Sequence, residues 1–117
     1  MTEQKIKDFI TRYKWTFSKT YAKFAPHEYY VKDNLDEQGK ADFVEFVIFI
    51  REVGFPCKFG KQTHIYFEYE GKYYWTMGDT IPNTIILNRC NVDDYVVLDG
   101  RMFYKRGRHD LFGEQRI

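Results

Sequence analysis

The chain has 117 residues, 44% of them hydrophobic and 30% charged, with a net charge of +1, which is the composition of one globular domain and too apolar for disorder. No apolar run approaches the roughly 18 residues of a membrane span, the polar start MTEQKIKDF lacks the apolar core of a signal peptide, and Cys57 and Cys90 form no CxxC pair. Membrane-spanning, disulfide-framework and zinc-knuckle classes are set aside, and a cytoplasmic single domain over residues 1–117 is expected, its tail over residues 106–117 loosely held.

Thr2 stands where a helix N-cap is wanted, and Ile6, Phe9, Ile10 and Tyr13 follow at helical spacing, predicting an amphipathic helix over residues 3–13. The stretch KWTFSKTYAKFAPHEYYV, residues 14–31, has no clean period; Ala25-Pro26 forces an extended or turned backbone, and His27 to Val31 reads as a short strand. DNLDEQGK is expected as a polar loop. ADFVEFVIFIREV, residues 41–53, is apolar almost all round and long for a strand, so it is expected as a largely buried helix stopped by Gly54 and Pro56. FPCKFGK reads as a loop.

QTHIYFEYEGKYYWTMG carries two alternating aromatic runs about Glu70-Gly71. They predict a hairpin in which Tyr69 faces Lys72, Phe67 faces Tyr74, Tyr66 faces Trp75 and Ile65 faces Thr76. TIILNRC is a strand apolar on both faces, NVDD a turn, and YVVLDGRMFYK a second hairpin about Asp99-Gly100. The sum is an α+β domain, two helices packed on a mostly antiparallel sheet of about five to six strands.

Phosphate-loop, GxGxxG, HExxH, GxSxG and paired-acid motifs are all missing, so no catalytic residue, metal ligand or cofactor is assigned. His27, Glu28 and Lys19 offer a base, a carboxylate and an oxyanion stabiliser, but neighbours on a strand point to opposite faces. His27, His64, Cys57 and Cys90 are zinc-compatible ligands whose spacing does not ask for zinc.

Charge is uneven: +4 over residues 1–24, −4 over 25–54, +1 over 55–78, −3 over 79–99 and +3 over 100–117. Two basic ends brought together make one positive face. Aromatic residues are 20% of the chain, and a hairpin with rings on both sides must have its second face covered or used. The candidate recognition residues are therefore Lys14, Trp15, Lys19, Lys23 and His27 in the opening stretch, Tyr74 and Trp75 on the hairpin, Arg89, and Lys105, Arg106 and Arg108 near the end. Exposed rings of this kind stack unpaired bases while lysine and arginine contact phosphate.

Lys14-Trp15-Thr16-Phe17, Lys19-Thr20, Pro26-His27-Glu28-Tyr29, Tyr74-Trp75-Thr76-Met77-Gly78 and Thr84-Ile85-Ile86-Leu87-Asn88-Arg89 resemble the signature of a family of small bacterial and phage-type proteins. In some of those chains a similar module precedes a methyltransferase domain. The resemblance spans roughly residues 13–91 and brings no mechanism with it. It implies an accessory module, and the standalone form suits a phage or mobile-element factor.

The expectation is a non-enzymatic protein engaging RNA, single-stranded DNA or a nucleoprotein enzyme, for example as an anti-CRISPR-like inhibitor of a host defence nuclease. Two alternatives stand beside it. One is a small enzyme acting on a nucleotide or nucleic acid with His27 as acid or base; the other is a structural domain dimerising through a sheet edge.

Overall fold

Helix α1 (Glu3–Arg12) opens where expected, with the Thr2 hydroxyl accepting the Lys5 amide at 3.2 Å and Ile6 and Phe9 buried along one side. Helix α2 (Glu37–Val53) starts earlier than its apolar run. The Asp36 carboxylate accepts the Gly39 amide at 2.7 Å, so the second half of DNLDEQGK is the first turn of the helix rather than a loop. Gly39 is required there by close approach, since a Cβ would lie 2.7 Å from the Tyr13 ring. The helix stops at Gly54, where a Cβ would collide with the Ile50 carbonyl oxygen and stand 2.7 Å from that of Tyr66.

The structure, a computed structural model, describes residues 1–17, 28–59, 62–77 and 86–104. Its strands are β1 (Thr16–Phe17), β2 (Glu28–Val31), β3 (Phe55–Phe59), β4 (Gln62–Tyr69), β5 (Lys72–Met77), β6 (Ile86–Asn91), β7 (Tyr95–Leu98) and β8 (Arg101–Tyr104). They form one eight-stranded sheet in the order β1-β2-β6-β5-β4-β3-β8-β7, antiparallel except where β3 meets β8. The α+β class holds, with more strands than expected.

The extra strands are β1, inside the aperiodic opening stretch, and β3, in the segment read as a loop. Pro56 argued against a strand there. The pairing of β3 with β8 falls at Lys58, whose amide bonds to the Gly100 carbonyl at 2.7 Å, two residues beyond the missing proline donor.

The central hairpin has the expected register, Tyr69↔Lys72 through Ile65↔Thr76. Glu70 and Gly71, at φ 48° and 79°, form its two-residue turn, and Asp99 and Gly100, at φ 51° and 72°, repeat the geometry between β7 and β8. Both turns take positive φ at both central positions, which suits the right-handed twist of the strands they join.

Each face of the sheet carries its own core. On one side, α1 and α2 bury Phe9, Phe43, Phe46 and Ile50 against Tyr30, Tyr74 and Leu87. On the other lie Cys57, Trp75, Cys90, Tyr95 and Met102. Four strand spacings separate β5 from β7 in the sheet order, about 19 Å if the sheet were flat, yet the rings of Trp75 and Tyr95 sit 6.4 Å apart. The sheet therefore curls, bringing the β7–β8 hairpin over the face that the helices leave open. The second aromatic face of the central hairpin is covered by the protein's own sheet.

Candidate nucleic-acid interface

The curl covers one of the expected stacking rings, Trp75, and the helix-side core takes the other two, Trp15 and Tyr74. Trp15 is 9% exposed, Tyr74 2% and Trp75 4%, so none of the three is a platform on the free surface. Trp15 and Tyr74 belong to the helix-side core and Trp75 to the opposite one, so the two tryptophans share no groove. Burial of large rings in two separate layers is what an aromatic-rich small domain needs to close both faces of its sheet. Lys14 is exposed beside Trp15. Lys19, Lys23, His27, Lys105, Arg106 and Arg108 lie outside the described residues, as does the tail over residues 106–117.

The positive face expected from the two basic ends is not formed by α1. Its cations are met by acids from elsewhere: Lys5 by Glu45 at 3.3 Å, Lys7 by Glu70 at 3.6 Å, and Arg12 by Asp36 at 3.6 Å. Two acids of the acidic stretch over residues 25–54, and Glu70 of the central turn, answer the basic start of the chain within the molecule. These pairs are exposed and add little stability, but they quench the local field. Lys14 has no acidic partner among the described residues.

What the structure does assemble is a polar cluster on the helix side of the sheet, near its β1 edge. Glu28 of β2 is opposite Arg89 of β6, and Arg89 is opposite Tyr74 of β5. Arg89 Nε donates to Glu28 Oε2 at 2.5 Å, with the two side chains 13% and 26% exposed. The same guanidinium faces the Tyr74 hydroxyl closely enough to lower its pKa against the larger effect of burial and lies 4.1 Å over the Trp15 ring. A planar cation held on an indole face and bonded on its edge is well supported in a half-dry setting.

Tyr30, two residues after Glu28 and so on the same face of β2, packs its ring 4.1 Å from that of Trp15. Within this cluster two donors have no acceptor among the described residues: the Trp15 Nε1 and the Tyr30 hydroxyl are buried with no hydrogen-bond partner there. Native interiors satisfy nearly all such groups, so each orphan calls for a reason. Burial pushes the Tyr30 phenol well above the ordinary tyrosine range, and burial also raises that of Tyr74, against the opposing effect of Arg89. Both hydroxyls keep their protons at neutral pH.

Glu28 entered the sequence reading only as a partner for His27, and Tyr30 only as a strand residue. The alternation of Glu28 and Tyr30 on one side of β2 was available as a signal, but nothing local tells which side meets Arg89, 61 residues away. Cys57 and His64 pair across β3 and β4, yet no group of three metal-ligating side chains occurs among the described residues. No helix is long and apolar enough to cross a membrane. Comparison of the chain with protein-family models, with curated proteins and with solved structures returns no match.

Proposed function

We propose that this is a non-enzymatic binding protein that engages single-stranded nucleic acid, RNA foremost, at the corner of the sheet built by Trp15, Glu28, Tyr30 and Arg89. The observation that carries the reading is the pair of buried donors without acceptors beside the Arg89–Glu28 pair. No described residue accepts from them, which is a pattern found where a ligand completes the bonding. Lys14 adjoins the cluster, and the segment joining β1 to β2, which carries Lys19, Lys23 and His27, leaves and returns at the register pair of Phe17 with Glu28. Cations flanking a base-binding corner are the usual division of labour between phosphate contact and base recognition.

A nucleoprotein presents the same chemistry, so the reading extends to a phage or mobile-element accessory factor acting on a host defence nuclease through its RNA. The test is binding of labelled single-stranded RNA and DNA to the whole chain across a salt series. Affinity falling linearly with log salt supports the reading. No binding of either polymer at low salt overturns it, and binding that persists after Lys14, Lys19 and Lys23 are all changed to Gln removes these lysines from it.

A further inference from the structure

We infer that a second surface, on the sheet face opposite the helices, takes an arginine side chain presented by a partner polypeptide. It is made by Phe55 of β3, Tyr66 and Glu68 of β4, and Tyr73 of β5. Strand register places them together: Phe55 is opposite Tyr66 and Glu68 is opposite Tyr73, while Tyr66 and Glu68, two residues apart, share one side of β4. The curl that buries Trp75 on this face leaves Phe55 58% exposed, Tyr66 and Tyr73 half-buried and Glu68 exposed. The rings follow one another, Phe55 to Tyr66 at 5.9 Å and Tyr66 to Tyr73 at 5.2 Å between centroids.

A large ring standing mostly in water with others beside it marks a contact surface, and the charge next to it says for what. Glu68 acts electrostatically on both tyrosines, although burial is the larger cause of their raised pKa values. It has no cationic partner among the described residues. Elsewhere the molecule completes the same combination from within. Arg89 lies 4.1 Å over the Trp15 ring and pairs with Glu28, and Arg12 lies 5.3 Å over the Tyr13 ring and pairs with Asp36. Phe55, Tyr66, Tyr73 and Glu68 supply the ring and carboxylate halves of that unit.

Arginine fits these halves better than lysine does, because its flat guanidinium stacks on a ring while its edge bonds a carboxylate. Stacking on an exposed ring needs no cavity. The carboxylate also repels phosphate, which separates this surface from a platform for nucleic acid. It lies on the face opposite the Trp15 corner, and nothing in it depends on nucleic-acid binding there.

The experiment is the affinity of the whole chain for a short labelled peptide alternating arginine and glycine, compared with the same peptide carrying citrulline, the uncharged isostere, for arginine. The arginine peptide is expected to bind at least about fivefold tighter. Glu68→Gln and Phe55→Leu, both at exposed positions, are each expected to weaken it by about threefold or more. Glu37→Gln, which removes the same charge from the start of α2 on the helix side, is expected to leave it unchanged. No binding at about millimolar peptide, equal affinity for the two peptides, or an arginine preference unmoved by Glu68→Gln and Phe55→Leu overturns the inference. An equal loss with Glu37→Gln also overturns it, since net charge alone then accounts for the binding.

Discussion

Two tyrosine-to-phenylalanine substitutions, alike on paper, should move stability in opposite directions. Tyr30 and Tyr74 are both in the helix-side core, 4% and 2% exposed, and both rings contact Trp15. They differ in their hydroxyls. The Tyr30 hydroxyl has no partner among the described residues, and a buried hydroxyl without a hydrogen bond is unfavourable by about 1–3 kcal/mol. Tyr30→Phe removes that penalty, keeps the contacts with Phe9, Tyr13 and Trp15, and forfeits only the packing of one oxygen. A net gain of about 1 kcal/mol follows, a rise of roughly 4 °C in Tm for a domain of this size. Tyr74→Phe instead takes away the hydroxyl that interacts with the Arg89 guanidinium, and loss of a hydrogen bond to a charged group costs about 1.5–3 kcal/mol. Urea unfolding followed by tryptophan fluorescence at neutral pH reads both, with the midpoint moving and the slope unchanged. If Tyr30→Phe destabilises the protein as much as Tyr74→Phe does, the Tyr30 hydroxyl has an internal acceptor, and the argument for an incomplete site fails.

Gly54→Ala is expected to destabilise by about 2–3 kcal/mol, because the added methyl meets the Ile50 and Tyr66 carbonyl oxygens; circular-dichroism melting checks this, and an unchanged Tm refutes it. Asp36→Ala should lower Tm at neutral pH. The Gly39 amide, then the Tyr13 hydroxyl and Arg12, hold the Asp36 carboxyl below its ordinary value of 3.8, so its contribution is present above that value and lost as pH falls further. The difference between variant and parent should close on acidification, and a constant gap would count against the cap. At alkaline pH the sign reverses. Burial pushes the Cys57 thiol from 9.0 up to about 12, so its stabilising effect is full below pH 9.0 and falls as pH climbs toward 12. Each such group steepens the decline by up to about 1.4 kcal/mol per pH unit. Cys57→Ala should make the fall in urea midpoint above pH 9 shallower, and an identical slope would show that the thiol ionises in the folded protein.

Local signals carried most of the architecture. Thr2 and the spacing of Ile6, Phe9 and Ile10 placed α1, and Gly54 marked where α2 stops. The alternation on either side of Glu70-Gly71 set the central register, and Asp99-Gly100 marked the second hairpin. All of these depend on residues within a few positions of one another, where capping, backbone preference and strand alternation act directly. β3 escaped because proline opposes a strand locally while its neighbours β4 and β8 supply the pairing from outside. Asp36 was passed over as a helix cap because turn-forming residues look alike in a loop and in the first turn of a helix.

The candidate site was half visible. Trp15, Tyr74 and Arg89 were singled out as exposed recognition residues and instead come together in a largely buried cluster, and Trp75 was grouped with them although it belongs to the other face. Composition and alternation say that a face is aromatic; whether water or protein meets that face depends on the sheet curling far enough to lay Tyr95 against Trp75. Likewise the charges of α1 are written in its sequence, but their neutralisation by Glu45, Glu70 and Asp36 depends on how helix, turn and cap come together. What the amino-acid order determined alone was the set of elements and the faces of each. Which faces meet, and so which polar groups are left without partners, was decided by long-range packing, because burial and hydrogen-bond satisfaction are properties of the assembled core and of no single segment.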